Sequence, residues 1–181
     1  MPFSGALTIS KVELATGVET VLFADAAVAL PAGPGAARWL TVDASIDGHD
    51  FVLRGTVTDA AQGGAAVTEA FFPLLPPANW TTLPPAPSVS FSVADAPNAD
   101  GASINVTVAT DKTAAFVTLT TLASGRFSDN AFLLLPGART LTFEAWGSVH
   151  EAAGVLRSTL RLDHLADAVQ GLLAAAGVRA V

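Results

Sequence analysis

Alternation of apolar and polar side chains with a period of two is the dominant pattern of this chain. Three segments show it clearly, and their apolar members are Val89, Phe91 and Val93, then Ile104, Val106 and Val108, then Leu141, Phe143 and Ala145. Successive side chains of a β-strand point to opposite faces, so the pattern predicts strands with one face on a core and one in water. Helical periodicity is nearly absent before residue 163, and residues 156–162 are predicted as the last strand, with Leu156, Leu160 and Leu162 on one face. We therefore predict an all-β fold of antiparallel sheets.

The first half of the chain repeats this pattern less regularly. Its predicted strands cover residues 6–14, 19–24, 38–46, 51–58 and 65–72, and its predicted turns lie at 31–35, 47–48 and 62–64. The alternation changes phase near Ser10 and Lys11, which predicts a β-bulge or a strand end there. Short strands between Gly, Pro, Asn and Asp turns are typical of sandwiches and barrels.

A proline-rich segment, residues 73–88, lies between the two halves. Proline has no backbone N–H and favours extended geometry, so this segment is predicted to be a stiff linker. We predict two immunoglobulin-like β-sandwich domains in tandem, over residues 1–82 and 83–166, and a short C-terminal helix in the tail 167–181. Asp163 can cap this helical segment, whose apolar stripe consists of Leu165, Val169, Leu172 and Leu173. Docking on the sandwich is favoured over binding of a partner by this helix.

Composition excludes several functional classes. The net charge is −7, and nine basic residues are spread singly along the chain, so nucleic acid is not a predicted partner. The absence of cysteine excludes disulfides, zinc–thiolate sites and thiol catalysis. No stretch offers the roughly 20 apolar residues that span a bilayer, and the first residues lack the apolar core of a signal peptide. No membrane partner and no cofactor are predicted.

The most distinctive segment is residues 125–143, GRFSDNAFLLLPGARTLTF. Ser128, Asp129 and Asn130 are predicted to form a polar corner whose side chains bind nearby backbone groups. Residues 131–135 then form a predicted buried strand, and Pro136–Gly137 suits the central positions of a type II turn. Residues 139–146 are predicted to return as the next antiparallel strand.

This segment resembles the C-terminal immunoglobulin-like domain of β-mannosidases in glycoside hydrolase family 2. The matching positions are Phe127, Ser128, Asp129, Asn130, Phe132, Leu135, Pro136 and Gly137. Residues 69–93 resemble the junction between the last two sandwiches of that family, and residues 156–167 resemble its last strand. The family usually has a Lys where this chain has Ala78 and Asn79. The resemblance implies a parent reaction, hydrolysis of terminal β-mannosides, that two glutamates of an upstream (β/α)8 barrel carry out. It also implies a lysosomal or secreted location.

Other residues with possible chemistry give no catalytic or metal site. They are the acidic Glu69, Glu144 and Glu151, the turn residues Asp43, Asp47 and Asp50, and the histidines His49, His150 and His164. The glutamates are predicted to be solvated on strand faces or in a turn. The aspartates have the oxygen ligands that calcium prefers but not the spacing of an EF-hand loop, so solvated turns are favoured. The histidines are predicted at the surface, and no G-x-S-x-G nucleophile elbow accompanies them.

Three tryptophans, Trp39, Trp80 and Trp146, are candidate contacts with a sugar or with a neighbouring domain, and domain packing is favoured for all three. Trp39 and Trp146 are predicted to point outward, and Trp80 lies in the linker. Two N-x-T sequons make Asn79 and Asn105 candidate glycosylation sites.

The leading hypothesis is a pair of non-catalytic C-terminal sandwiches that brace the catalytic barrel of a β-mannosidase-like hydrolase, in cis or in trans. The alternative is a free-standing module that binds a glycan, such as an oligosaccharide, or a protein. An independent enzyme is a distant third. Exposed edge strands also predict a tendency to self-associate.

Overall fold

The computed structural model describes residues 3–30, 50–63, 65–73, 80 and 82–169. The chain divides into two compact units, Met1–Thr82 and Leu83–Val181. None of the helices within these described ranges is long and apolar enough to cross a membrane.

The described part of the first unit is an antiparallel sheet of four strands. These are β1 Phe3–Glu13, β2 Glu19–Leu30, β3 Phe51–Asp59 and β4 Ala65–Pro73, in the order β2-β1-β3-β4. A 3-10 helix, Ala60–Gln62, joins β3 to β4 and ends at Gly63, whose φ of 67° is left-handed. Four predicted strands and the turn near residue 63 are confirmed. The predicted strand 38–46 and the turns at 31–35 and 47–48 lie outside the described residues.

The phase change near Ser10 is a β-bulge. The register of β1 against β2 shifts between Ile9 and Ser10, and it shifts a second time between Gly5 and Leu7. Each shift turns the following side chains of β1 relative to those of β2. The bulge brings Ser10 and Val12 onto a buried face, where they are 1% and 0% exposed.

Within the described residues, the second unit is a two-sheet sandwich of seven strands with helix α1, and a short helix follows at residues 165–169. Its elements are β5 Val89–Val93, β6 Ser103–Thr110, β7 Ala114–Thr120, β8 Gly125–Phe127, β9 Phe132–Leu134, β10 Gly137–Ala145, α1 Val149–Thr159 and β11 Arg161–Asp163. The sheets have the orders β5-β6-β10-β8 and β11-β7-β9. This arrangement confirms the predicted immunoglobulin-like sandwich.

The core of the second unit lies between its two sheets and against α1. The first sheet contributes Ile104, Val106, Val108, Leu141 and Phe143; the second contributes Val117, Leu119, Phe132 and Leu134; the helix contributes Val149, Ala152, Ala153 and Leu156. The predicted inward faces of β6 and β10 are therefore confirmed. Phe91 shares the inward register of the edge strand β5 but is 37% exposed.

The prediction of a strand over residues 156–162 is wrong, because α1 occupies Val149–Thr159 and only Arg161–Asp163 is a strand. Ser148 caps the helix by accepting a hydrogen bond from the Glu151 N–H. The buried side chains Val149, Ala152, Ala153 and Leu156 follow helical spacing. Glu151 therefore lies in the first turn of a helix and not in a loop.

The predicted C-terminal helix is confirmed over residues 165–169, and positions 170–181, with Leu172 and Leu173, lie outside the described residues. The carbonyl of His164 accepts hydrogen bonds from the N–H groups of Asp167 and Ala168. His164 therefore precedes the first helical residue. The prediction that Asp163 caps this helix is wrong, because Asp163 is the last residue of β11.

Candidate functional site

The polar corner of the second unit binds the backbone, as predicted. The side-chain amide of Asn130 accepts from the Leu119 N–H at 2.8 Å and donates to the Leu119 carbonyl at 3.0 Å. The Ser128 hydroxyl accepts from the Thr142 N–H at 3.0 Å. Ala131, the next residue, has a φ of 58°, which turns the backbone out of the ladder. These side chains join strands of both sheets, so their role is structural.

The corner also carries an ion pair. The Arg139 guanidinium lies 2.7 Å from the Asp129 carboxylate and stacks over the Phe132 ring at 4.5 Å. Both charged side chains are partly exposed, so the pair is worth about 1 kcal/mol at most. The Asp129 carboxylate is thus paired with Arg139 within the unit.

The turn that follows the corner changes sheets. Gly137 has the positive φ, 117°, that the predicted type II turn needs at this position. However, β9 pairs with β7, whereas β10 pairs with β6 and β8. The strand predicted over residues 139–146 is β10, Gly137–Ala145, but it crosses to the other sheet and does not pair with the strand before it.

Two of the candidate glutamates are paired with arginines. In the first unit Arg54 binds Glu69 at 2.5 Å and Glu19 at 2.6 Å. Burial alone would lower the pKa of Arg54, but the hydrogen bonds and charges of Glu69 and Glu19 raise it above its ordinary value. In the second unit Glu144 binds Arg126 at 2.6 Å on an exposed face. Glu69 is therefore a half-buried ion-pair member and not the freely solvated group that the sequence predicted.

Among the described residues, the candidate histidines and aspartates do not come together at one site. His150 is exposed, whereas His164 is buried, with its Nε2 at 3.3 Å from Asp167, so the surface prediction is wrong for His164. Asp50 accepts from the Thr82 N–H at 3.1 Å, as a turn residue can. His49, Asp43 and Asp47 lie outside the described residues. Across the part of the chain that the structure describes, no group of three His, Asp or Glu side chains is placed to hold a metal ion.

The candidate sugar or domain contacts differ in exposure. Trp146, directly after β10, is 71% exposed and lies opposite the buried face of Leu141 and Phe143, as predicted. Trp80 is half-buried, and Trp39 lies outside the described residues. Of the two tryptophans that the structure describes, Trp146 is therefore the one whose side chain is open to a partner.

One end of the second unit exposes a second large apolar side chain, Leu122, which the sequence did not predict. Leu122, in the loop from β7 to β8, is 83% exposed, and the Trp146 N–H donates to the carbonyl of Ser124 in the same loop at 3.1 Å. Beside Leu122 an open groove of about 660 Å³ is lined by hydroxyls of Thr121, Ser158 and Thr159 and by Arg161. We call Leu122, Trp146 and Arg161 with this groove the Leu122–Trp146 surface. An isolated leucine among the small and polar residues 120–125 was the available sequence signal.

The described sequon lies on a central strand. Asn105 is half-buried on β6, and its side-chain carbonyl accepts from Asn98 Nδ2 at 3.1 Å and from Thr142 Oγ1 at 3.5 Å. The hydroxyl of Thr107 lies 3.2 Å from that of Thr140. Asn79 lies outside the described residues, and glycosylation at either position stays a prediction.

Comparison with known protein families gives a match for the second unit. A family model of the mannosidase Ig-fold domain matches residues 85–168. The resemblance that the Ser-Asp-Asn segment indicated is thereby confirmed, and the second unit is an Ig-fold domain of the kind found in mannosidase-type glycoside hydrolases.

Solved structures extend the likeness to most of the chain. A β-D-mannosidase from Dictyoglomus thermophilum is 18% identical, with a TM-score of 0.51 over 91% of this chain and 19% of that one. The exo-chitosanase of Amycolatopsis orientalis is 18% identical, with a TM-score of 0.58 over 90% of this chain and 23% of that one. Such low identity shows a shared fold, and the chain spans about a fifth of the length of these enzymes. No curated protein sequence matches it.

Proposed function

We propose that the chain forms the non-catalytic C-terminal sandwich domains of a β-mannosidase-like glycoside hydrolase and braces its catalytic barrel. The observation that carries this proposal is the match of residues 85–168 to the mannosidase Ig-fold family. The likeness over 90% or more of the chain to two glycosidases, each about five times longer, supports it. The parent reaction is hydrolysis of terminal β-mannosides.

The carboxylates support an accessory role. A retaining glycosidase places an acid/base carboxyl and a nucleophile about 5–5.5 Å apart. Glu69 and Glu144, each bound to an arginine, belong to different units of the chain. The catalytic pair in this proposal belongs to the barrel, and the sandwiches supply surface against which the barrel packs.

The test combines size, association and activity. Antibody to residues 125–143 detects the native protein, and we expect a band several times larger than 18.3 kDa, or a complex in which this chain accompanies a larger hydrolase. The chain alone should release no nitrophenol from a β-mannoside, whereas the larger species should. A free 18.3 kDa chain that accompanies no hydrolase would contradict the proposal.

The exposed Trp146 favours one alternative, a free-standing glycan-binding module, since an exposed indole can stack on the apolar face of a sugar. A glycan array distinguishes the two. Specific binding by the isolated chain that Trp146→Ala abolishes would support the module and count against the accessory role.

A further inference from the structure

Two large apolar side chains, Leu122 and Trp146, are exposed on loops of the second unit that a hydrogen bond connects. Leu122 lies in the loop from β7 to β8, and Trp146 lies between β10 and α1. The Trp146 N–H binds the Ser124 carbonyl two residues after Leu122, so both loops meet at one end of the sandwich. The leucine is 83% exposed and the tryptophan is 71% exposed, and large apolar side chains that are exposed at one end of a domain are typical of interaction sites.

We propose that the Leu122–Trp146 surface is where this domain packs against the catalytic domain of the parent glycosidase, on a patch with apolar side chains and a carboxylate that binds Arg161. The inference rests on the proposed function and adds to it the face and the chemistry of the contact. Tryptophan and arginine are the side chains most enriched at the energetic centres of protein interfaces.

The charge of the partner follows from the arginines of the second unit. Arg126 and Arg139 bind carboxylates, and Arg157 donates to the carbonyls of Ala94 and Asp95. Within the described ranges, Arg161 has neither an ion pair nor a side-chain hydrogen bond, and it lines the groove beside Leu122. A carboxylate on the partner would supply the missing contact.

The hydroxyls of the groove favour a protein partner over a sugar. Thr121 and Thr159 hydroxyls lie 3.0 Å apart, and the Thr159 hydroxyl also donates to the Val155 carbonyl at 2.8 Å. The Ser158 hydroxyl donates to backbone carbonyls of α1. Because these donors are already engaged within the unit, they do not provide the free polar groups that orient a saccharide. In each of the two glycosidases of the same fold, about four-fifths of the length lies outside the matched region. In a parent enzyme of similar length, that remainder would be the protein against which this domain packs.

Photocrosslinking in the native cells tests the surface directly. The full chain carries p-benzoylphenylalanine in place of Leu122, and a matched chain carries it in place of Ser92, which is exposed on the polar face of β5. We expect the probe at position 122, and not the one at 92, to crosslink to a peptide of the catalytic domain. A crosslink from position 122 to a second copy of this chain, equal crosslinking at both positions, or no crosslink at 122 would overturn the proposal.

A second variant separates this inference from the proposed function. With Leu122→Ser and Trp146→Ala together, we expect the β-mannoside-hydrolysing activity that accompanies the chain to fall about thirtyfold, as for loss of an interface hot spot. Ser92→Ala should leave that activity unchanged. If the activity accompanies the double variant as well as the natural chain, the face is wrong and the proposed function stands. If no such activity accompanies the natural chain, the proposed function fails and the inference fails with it. Quenching of tryptophan fluorescence by a mannose oligosaccharide that Trp146→Ala abolishes would assign the surface to a sugar instead.

Discussion

Asn130 pairs with the backbone of Leu119 through its side-chain amide, at 2.8 Å to the N–H and 3.0 Å to the carbonyl. The ladder between β7 and β9 reaches Val117 and Phe132, and two residues further along the register Asn130 lies opposite Leu119. Ala131 has a left-handed φ there, so the backbone departs and the side chain supplies both hydrogen bonds. The amide of Asn130 therefore extends the ladder beyond the last backbone pair.

Removing this amide should destabilise the second unit strongly. Asn130→Ala leaves the N–H and the carbonyl of a residue that is 2% exposed without partners, and each unpaired group costs about 1–3 kcal/mol. We expect a total loss of about 2–4 kcal/mol in the free energy of unfolding, measured by urea denaturation. Asn130→Asp keeps the acceptor but loses the donor, so its free energy of unfolding should lie between those of the natural chain and Asn130→Ala. A change within 0.5 kcal/mol, the usual range for an exposed position such as Ser90→Ala, would show that the pair is dispensable.

Gly125 should tolerate no side chain. A Cβ at this position of β8 would overlap the carbonyl oxygen of Glu144 and the ring of Phe143, which is fully buried. We expect Gly125→Ala to cost about 1–3 kcal/mol or more, because the core must shift to admit the methyl group. Gly154→Ala is the matched control, since a Cβ there meets nothing within 4 Å on the exposed side of α1. That change should stabilise the unit by about 0.5–1 kcal/mol. Equal effects in denaturation experiments would refute the packing around Gly125.

Two leucines, one in the core and one at the surface, should respond differently to truncation. Leu156 is fully buried on α1, whereas Leu122 is 83% exposed. Truncating the buried side chain leaves a cavity, so we expect Leu156→Ala to cost about 2–5 kcal/mol. Leu122→Ala should change the unfolding free energy by less than about 0.5 kcal/mol in the isolated chain. A large loss from Leu122→Ala would mean that this side chain belongs to the core and would remove the basis of the Leu122–Trp146 surface.

Local patterns predicted much of the sandwich, because strand period and turn chemistry depend on neighbouring residues. Ile104, Val106 and Val108 are all fully buried, as their alternation predicts, and the phase change near Ser10 is a bulge. The same dependence on local pattern explains why a strand over residues 156–162 is predicted wrongly. Leu156, Leu160 and Leu162 fit a period of two, whereas the cap that starts the helix, Ser148, lies outside that segment.

Contacts between residues far apart in the chain could not be predicted from the sequence pattern. Arg54 binds Glu19 although 35 residues separate them, because the order β2-β1-β3 and its register bring the two side chains to one face. Likewise, hydropathy alone assigns Leu122 to a core. Its exposure follows from the path of the loop from β7 to β8, which local periodicity does not determine.

The loop between β5 and β6 should make the second unit sensitive to acid through Asp100. The hydrogen bond from the Ser103 hydroxyl, followed by that from the Ala102 N–H, lowers the pKa of Asp100 below its ordinary 3.8. A carboxyl whose pKa is lower in the folded state stabilises the fold at pH values above the ordinary pKa. This contribution is lost as the pH falls through the lower, folded value.

Asp100→Asn isolates this effect, because its side-chain carbonyl can still accept from the N–H groups of Ala102 and Ser103, each 3.0 Å from Oδ1, but it does not titrate. We expect the natural chain to be the more stable of the two at about pH 6, and the difference to shrink as the pH falls below 3.8 and through the lower pKa that Asp100 has in the folded state. Urea denaturation of both chains across this range measures the difference. A difference that stays constant with pH would mean that the carboxylate charge of Asp100 does not stabilise the loop, whereas a shrinking one would assign the acid sensitivity to the hydrogen bonds from Ser103 and Ala102.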